Sequence, residues 1–186
     1  MLYGQVHLTL PPWIHEEVDE QRSYPDDEAK VALAIHLARS NVEHGSGGPF
    51  GAALFDGSGR LLSVGVNRVV PQTSSVAHAE MMAFMCAQSR LQQFRLNEGG
   101  NGIVLATSAQ PCCMCYGASV WAGIDELLIG ARSTDVEELT EFDEGPLPAD
   151  WAGELGKRGI AVRADILRSQ ARDVLRRYAE GGGRRY

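Results

Sequence analysis

Apolar positions along the chain switch between helical and extended spacing several times. Val31, Ile35, Ala38 and Val42 recur at helical spacing behind Asp26-Asp27-Glu28, which supply an N-cap and first-turn acids, and Gly45 ends the run. Two continuous apolar runs follow, Phe50–Phe55 and Leu61–Asn67. The joint between them, Asp56-Gly57-Ser58-Gly59, predicts a β-hairpin. Ala77–Leu91 reads as a helix, Asn97–Gly102 as a loop, Ile103–Thr107 as a short buried strand, Cys112–Ala122 as a helix and Leu127–Ala131 as another strand. Ser133–Leu139 has room for one or two helical turns before the loop Glu141–Asp150, which holds Pro146 and Pro148. Ile160–Arg163 predicts a last strand. Ile166–Ala179 predicts a closing amphipathic helix with Leu167, Val174, Leu175 and Tyr178 on its apolar side.

The order α-β-β-α-β-α-β-α-β-α lets helices cover both faces of one mixed five-stranded sheet. The fold class expected is α/β, a three-layer α/β/α sandwich. Residues 1–26, with Pro11-Pro12, Trp13 and mixed charge, read as an irregular or partly helical N-terminal extension; residues 27–180 form the domain. Gly181-Gly182-Gly183 frees residues 181–186 as a flexible tail. At 186 residues with 44% apolar and 22% charged positions, the composition is that of one soluble domain. No apolar stretch is long enough to span a membrane, and the start lacks the basic n-region of a secretory signal, so the expected location is cytoplasmic.

Charge narrows the choice of partner. The net charge is −7, but residues 168–186 alone carry +4, leaving −11 on the rest. An acidic body with a basic end offers no broad polyanion-binding face, so no nucleic-acid partner is expected.

The four cysteines stand at 86, 112, 113 and 115. Three thiols in four residues make a poor disulfide framework, and the CxxC spacing points to metal or redox chemistry. Cys112 and Cys115, at i and i+3 where a helix begins, project to one side and can share a zinc ion, with the helix N-terminus favouring the thiolates. Ala77-His78-Ala79-Glu80 opens a second predicted helix. His78 is a third ligand, and three protein ligands leave one position open, the pattern of a catalytic rather than a structural zinc site. Glu80, two residues on, suits proton transfer beside it. A thioredoxin-like reading of the CxxC leaves the His–Glu segment unexplained, whereas HxE followed by PCxxC is the zinc deaminase signature.

On these segments the chain resembles the cytidine deaminase superfamily, over roughly residues 27–180. The resemblance is carried by Gly47-Gly48-Pro49-Phe50-Gly51-Ala52, Asn67-Arg68-Val69-Val70-Pro71, His78-Ala79-Glu80, Thr107–Cys115, Trp121-Ala122-Gly123 and Phe142-Asp143-Glu144-Gly145-Pro146. The last segment, with Ala131-Arg132-Ser133 and Trp151, is most similar to bacterial guanine deaminases, some of which accept amino-s-triazines such as ammeline. Gln110-Pro111-Cys112 stands where many relatives have Glu-Pro-Cys, which removes a charge without touching the zinc ligands.

The resemblance implies hydrolysis of a free nucleobase, guanine, to xanthine and ammonia, with Zn2+ on His78, Cys112 and Cys115 and Glu80 shuttling protons. It implies that Cys113 faces away from the metal and that Asn67 anchors the purine. Phe50 and Trp121 become pocket aromatics, and the amides of Ala79 and Cys112 lie near the reacting atoms. Glu144 is implied as the residue that reads guanine through N1–H and the 2-amino group, with Asp143 the competing candidate. It also implies a homodimer, with a C-terminal segment that swaps onto the partner in some members. The alternatives are a tRNA adenosine deaminase, a free-cytosine deaminase, and a non-catalytic zinc-stabilised binding protein, which would have no need of Glu80.

Overall fold

The computed structural model of the protein describes residues 4–186, and the first three residues of the N-terminal stretch lie outside them. The hairpin runs as β1 (Gly51–Asp56) and β2 (Leu61–Val66), paired antiparallel. The other edge of β1 takes β3 (Ile103–Ala109) antiparallel; β4 (Glu126–Ala131) and β5 (Ala161–Arg163) then add in parallel. The sheet order is β2-β1-β3-β4-β5, the mixed five-stranded sheet expected from the pattern. Parallel strands need a crossover, and the helix between β3 and β4, Cys113–Ala122, supplies it.

Alternate residues of each strand feed two cores. Ala53 and Phe55 point to the face covered by the helices Asp27–Glu43 and Arg168–Glu180, and Ala52 and Leu54 to the face covered by Ala79–Leu91 and the crossover helix. The result is the three-layer sandwich. In chain order the helices are α1 (Ile14–Glu17), α2 (Asp27–Glu43), α3 (Val69–Gln72), α4 (Ala79–Leu91), α5 (Cys113–Ala122), α6 (Ser133–Thr140), α7 (Trp151–Gly156) and α8 (Arg168–Glu180).

Two strand glycines let helices rest directly on the sheet. A Cβ at Gly51 would lie 2.3 Å from the Ala34 carbonyl oxygen of α2, and one at Gly65 would lie 2.0 Å from the Ala79 carbonyl oxygen of α4. The contact at Gly65 seats the first turn of α4, and His78 just before it, against β2.

The pattern did not predict α3 or α7. Helix α7 holds Gly153 and Gly156, poor helix formers, and is stabilised by the Asp150 carboxylate, which accepts from the Gly153 N–H at 3.0 Å. The N-terminal stretch also packs more closely than an extension suggests. Trp13, Ile14 and Tyr24 are buried in the same core as α2. At the other end, Tyr178 Oη donates to the Arg184 carbonyl oxygen at 2.7 Å, and the Tyr186 ring sits 4.8 Å from that of Phe142. The tail therefore folds back over the domain. Among the described residues no helix is long and apolar enough to cross a membrane.

Candidate active site

The two motif segments occupy equivalent places in the fold. His78 is the N-cap of α4 and Cys112 the N-cap of α5, both with extended backbone (φ −70°, ψ 160° and φ −65°, ψ 174°). An N-cap residue aims its side chain across the mouth of its own helix. Helix α4 lies on β1 and β2, and α5 begins just past the end of β3, so the two helix mouths face one another. Cys115, one turn into α5, is fully buried. The nitrogen of His78 and the sulfurs of Cys112 and Cys115 lie within 4.8 Å of one another.

This donor set fits zinc. Cys112 Sγ and His78 Nδ1 are 3.5 Å apart. Ligands held at the usual zinc–sulfur and zinc–nitrogen lengths around a tetrahedral centre are about 3.6 Å apart. The Cys115 thiol and then His78, both donating to Cys112, hold its thiol well below the ordinary range and favour the thiolate a metal needs. Burial pushes His78 down, but the Cys112 hydrogen bond and the negative charges of Glu80 and Cys112 outweigh it and leave the imidazole raised.

These groups open into a small cavity lined by Phe50, Gly51, His78, Glu80, Thr107–Gln110, Cys112 and Glu144. Much of the polar lining is already engaged: Thr107 Oγ1 donates to the Leu128 carbonyl oxygen at 3.2 Å, and Ser108 Oγ accepts from the Gly51 N–H at 3.1 Å. The Gln110 amide oxygen accepts from the Ser133 N–H at 3.4 Å, an engagement toward the start of α6 that needs no charge. Two carboxyls remain, Glu80 and Glu144, each 8% exposed. Burial first, then the neighbouring Cys112 charge, raises Glu80 to about 7. Burial, then the charges of Cys112 and Glu80, raises Glu144 to about 8.

Of the two acids in the 142–146 loop, Glu144 lines the cavity, whereas Asp143 is exposed and accepts from the Gly145 N–H at 2.8 Å. Phe50 lines the cavity and its carbonyl accepts from the Asn67 N–H at 3.1 Å. Asn67 is 1% exposed; its Oδ1 accepts from Val69 N–H at 3.2 Å, while its Nδ2 is buried without a protein partner. Ala79 is buried in the first turn of α4. Trp121 is not in the cavity: it is 79% exposed and lies in a surface groove with Met85 and Phe94. Cys113 is exposed, as expected for the cysteine turned from the metal. Tyr186, not singled out as a substrate contact, has its hydroxyl beside Gly48 and lines a cleft with His78. Only its place after three glycines and two arginines hinted at a role in closing a pocket.

Residues 25–131 match the cytidine and deoxycytidylate deaminase zinc-binding region. Guanine deaminase of Bacillus subtilis (strain 168) is 36% identical over 117 residues, which cover 63% of this chain and 71% of that protein. The solved structure of guanine deaminase from Nitrosomonas europaea is 41% identical, with a TM-score of 0.90 over 97% of this chain and 99% of that one. An asparagine-to-alanine mutant of NE0047 in complex with 8-azaguanine is 42% identical, with a TM-score of 0.90 over 95% of this chain and 98% of that one. The matched region takes in more than half of the sequence and both helix starts that meet at His78 and Cys112, so the chain belongs to the zinc-binding cytidine and deoxycytidylate deaminase family.

Proposed function

We propose that the protein hydrolyses guanine to xanthine and ammonia. The observation that carries this reading is Glu144, a buried carboxyl in the same cavity as the zinc ligands. Guanine presents N1–H and the 2-amino group side by side as donors, and one carboxylate accepts from both. Those donors stabilise the charged form that burial otherwise disfavours. Adenine offers a bare acceptor at N1 and would leave the carboxylate unpaired. The likeness to guanine deaminases of Bacillus subtilis and Nitrosomonas europaea supports the same substrate.

Zinc on His78, Cys112 and Cys115 supplies Lewis acidity that lowers the pKa of water. Glu80 takes a proton from the water adding at C2 and gives it to ring nitrogen N3; a second proton passes to the amino nitrogen as it leaves. Glu144 holds the N1–C2–amino edge so that C2 faces His78 and the cysteines. Phe50 covers the ring. The free Nδ2 of Asn67 donates to the purine, and the amides of Ala79 and Cys112 border the reacting atoms. Asp143 serves the loop turn instead. Aminotriazines such as ammeline, which carry an amino group beside a ring N–H, fit the same edge as side substrates.

The tRNA adenosine reading requires a basic groove, which the −11 outside the C-terminal stretch does not favour. Free cytosine lacks the N1–H and 2-amino pair. The chain works as a cytoplasmic homodimer with residues 27–180 as its catalytic unit; four free cysteines suit a reducing compartment. The exposed Met85 on α4, Phe94 in the segment after it and Trp121 on α5 offer an apolar face for the partner. In each subunit the tail either covers its own cavity or swaps onto the neighbour's. Ammonia release from guanine, adenine, cytosine, cytidine, ammeline and a tRNA anticodon stem-loop tests the proposal. Guanine should lead the panel; release from the stem-loop alone would overturn it.

A further inference from the structure

Phe50, which lines the cavity, is held by backbone that has no regular secondary structure. The stretch 47–50 and Asn67 lie side by side between α2 and the hairpin, linked by the Asn67 N–H to the Phe50 carbonyl. Such a segment keeps its shape only if its carbonyls find partners. Those partners come from a residue outside the cavity. Asn41, in the last turn of α2, is fully buried. Its Nδ2 donates to the Gly48 carbonyl at 2.8 Å and to the Asn67 carbonyl at 2.9 Å. Both hydrogens of the amide are therefore used, one on each of the two strands of backbone that meet behind Phe50.

The amide is itself oriented. Ser46 Oγ donates to Asn41 Oδ1 at 2.7 Å and accepts from Trp13 Nε1 at 2.9 Å. The relay runs from the N-terminal stretch through Ser46 and Asn41 to the two carbonyls. There is no slack in it. A Cβ at Gly47 would lie 1.9 Å from the Asn67 carbonyl oxygen and 2.7 Å from Asn41 Nδ2.

We propose that Asn41 is a positioning residue for the substrate: it fixes the separation of Gly48 and Asn67, and Trp13 and Ser46 hold it in the one amide orientation that can do so. Phe50 and the Asn67 side chain inherit their places from this spacing. The N-terminal stretch, through Trp13, is then part of the catalytic apparatus without touching it. This rests on the reading of the cavity as a guanine site, in which Asn67 contacts the purine.

The test uses full-length protein and guanine as the probe, with zinc content measured for every variant. Asn41→Ala removes both donors. It should lower kcat/KM about tenfold to hundredfold, mostly through KM, with zinc content unchanged, because a Phe50 displaced by a fraction of an ångström misplaces the substrate ring. Ser46→Ala and Trp13→Phe are milder and remain available if Asn41→Ala does not fold. Each should raise KM several-fold, and Trp13→Phe keeps the ring that stacks on His44. The effects should be non-additive with Asn67→Ala: in that background, loss of the Asn41 or Ser46 contact should change KM by a clearly smaller factor than in the wild type. A merely structural Asn41 would lower Tm while zinc-loaded molecules kept wild-type KM, and that result overturns the inference. Full additivity with Asn67→Ala would overturn it as well. Failure of the wild-type protein to act on guanine, in contrast, would sink the substrate assignment on which the inference rests.

Discussion

The N–H of Cys113 donates to the carbonyl oxygen of Glu144 at 3.0 Å. The residue between the two cysteine ligands thus carries the loop that bears the second cavity carboxyl. Gly145 completes the join: its φ is +68°, and a Cβ there would lie 2.5 Å from Cys113 Sγ. Gly145→Ala combines left-handed strain with a clash, a penalty of about 1–3 kcal/mol. It should lower kcat/KM for guanine without loss of zinc. Adding Cys113→Ala, which removes the sulfur, should restore part of the activity.

Cys112→Ser and Glu80→Gln separate holding the metal from moving the proton. The first should lose zinc, measured by metal analysis of the purified protein. The second should keep full zinc and lose at least about 100-fold in kcat, the scale of general acid–base catalysis. A Cys112→Ser chain with full zinc would contradict the ligand assignment.

Glu144→Gln replaces one of two acceptor positions with a donor. A charge-assisted hydrogen bond contributes about 1.5–3 kcal/mol. The variant should therefore lose roughly tenfold to hundredfold in kcat/KM on guanine. Activity on ammeline should fall in parallel, whereas trace activity on cytosine should fall far less. Wild-type rates on guanine would move the specificity argument to cavity shape.

Asp135 gives a handle on acid stability that is independent of turnover. It is 1% exposed in the first turn of α6, and Arg168 pairs with it through two nitrogens at 2.7 Å. Arg172 and the Arg132 N–H complete the set. The Arg168 hydrogen bonds, against the cost of burial, lower its carboxyl to about 2 from 3.8. Its folded value is the depressed one, so the stabilisation is fully present above about pH 5 and is lost as pH falls toward 2. A shift of this size corresponds to about 2 kcal/mol. Urea titrations of wild type and Asp135→Asn should differ most near neutral pH and converge toward pH 2. A gap that stayed constant across that range would rule out this ion pair as the source.

Deleting residues 181–186 removes Tyr186, whose ring lies against Phe142 and whose hydroxyl fills the space beside Gly48. The shortened protein should stay folded, since α8 is buried through Ala171, Val174 and Leu175, and should show a higher KM or lower kcat on guanine. Unchanged kinetics would leave the tail without a role at the site.

His78, Glu80, Cys112 and Cys115 were legible because their chemistry depends on local spacing and on standing at helix starts, which the apolar periodicity reveals. The sheet was legible because most of its strands are short, largely apolar runs bounded by turn residues. The place of Trp121 was not legible, because sequence shows that an aromatic is present but not which side of α5 it occupies. Glu144 and Asp143 are neighbours with similar chemistry, and only the fold, which buries Glu144 in the cavity and leaves Asp143 exposed on the Gly145 N–H, tells them apart. Asn41 gave no signal at all. Its importance comes from two carbonyls, 7 and 26 residues away, that the fold brings to one amide.

The parallel pairing of β3 with β4 has a consequence for how the protein is made. His78 comes after the hairpin and α3, but Cys112, Cys113 and Cys115 emerge after β3 and before β4, the strand beside which α5 must cross. During synthesis, three thiols within four residues are therefore on display while two of the five strands are still missing. Copper binds such ligands more tightly than zinc does, and an oxidant would find the same thiols. Docking of β3 against β1 brings Cys112 toward the waiting imidazole and ends that exposure. The interval between translating Cys115 and docking β3 on β1 is thus the period in which the newborn chain is most open to mismetallation and to oxidation.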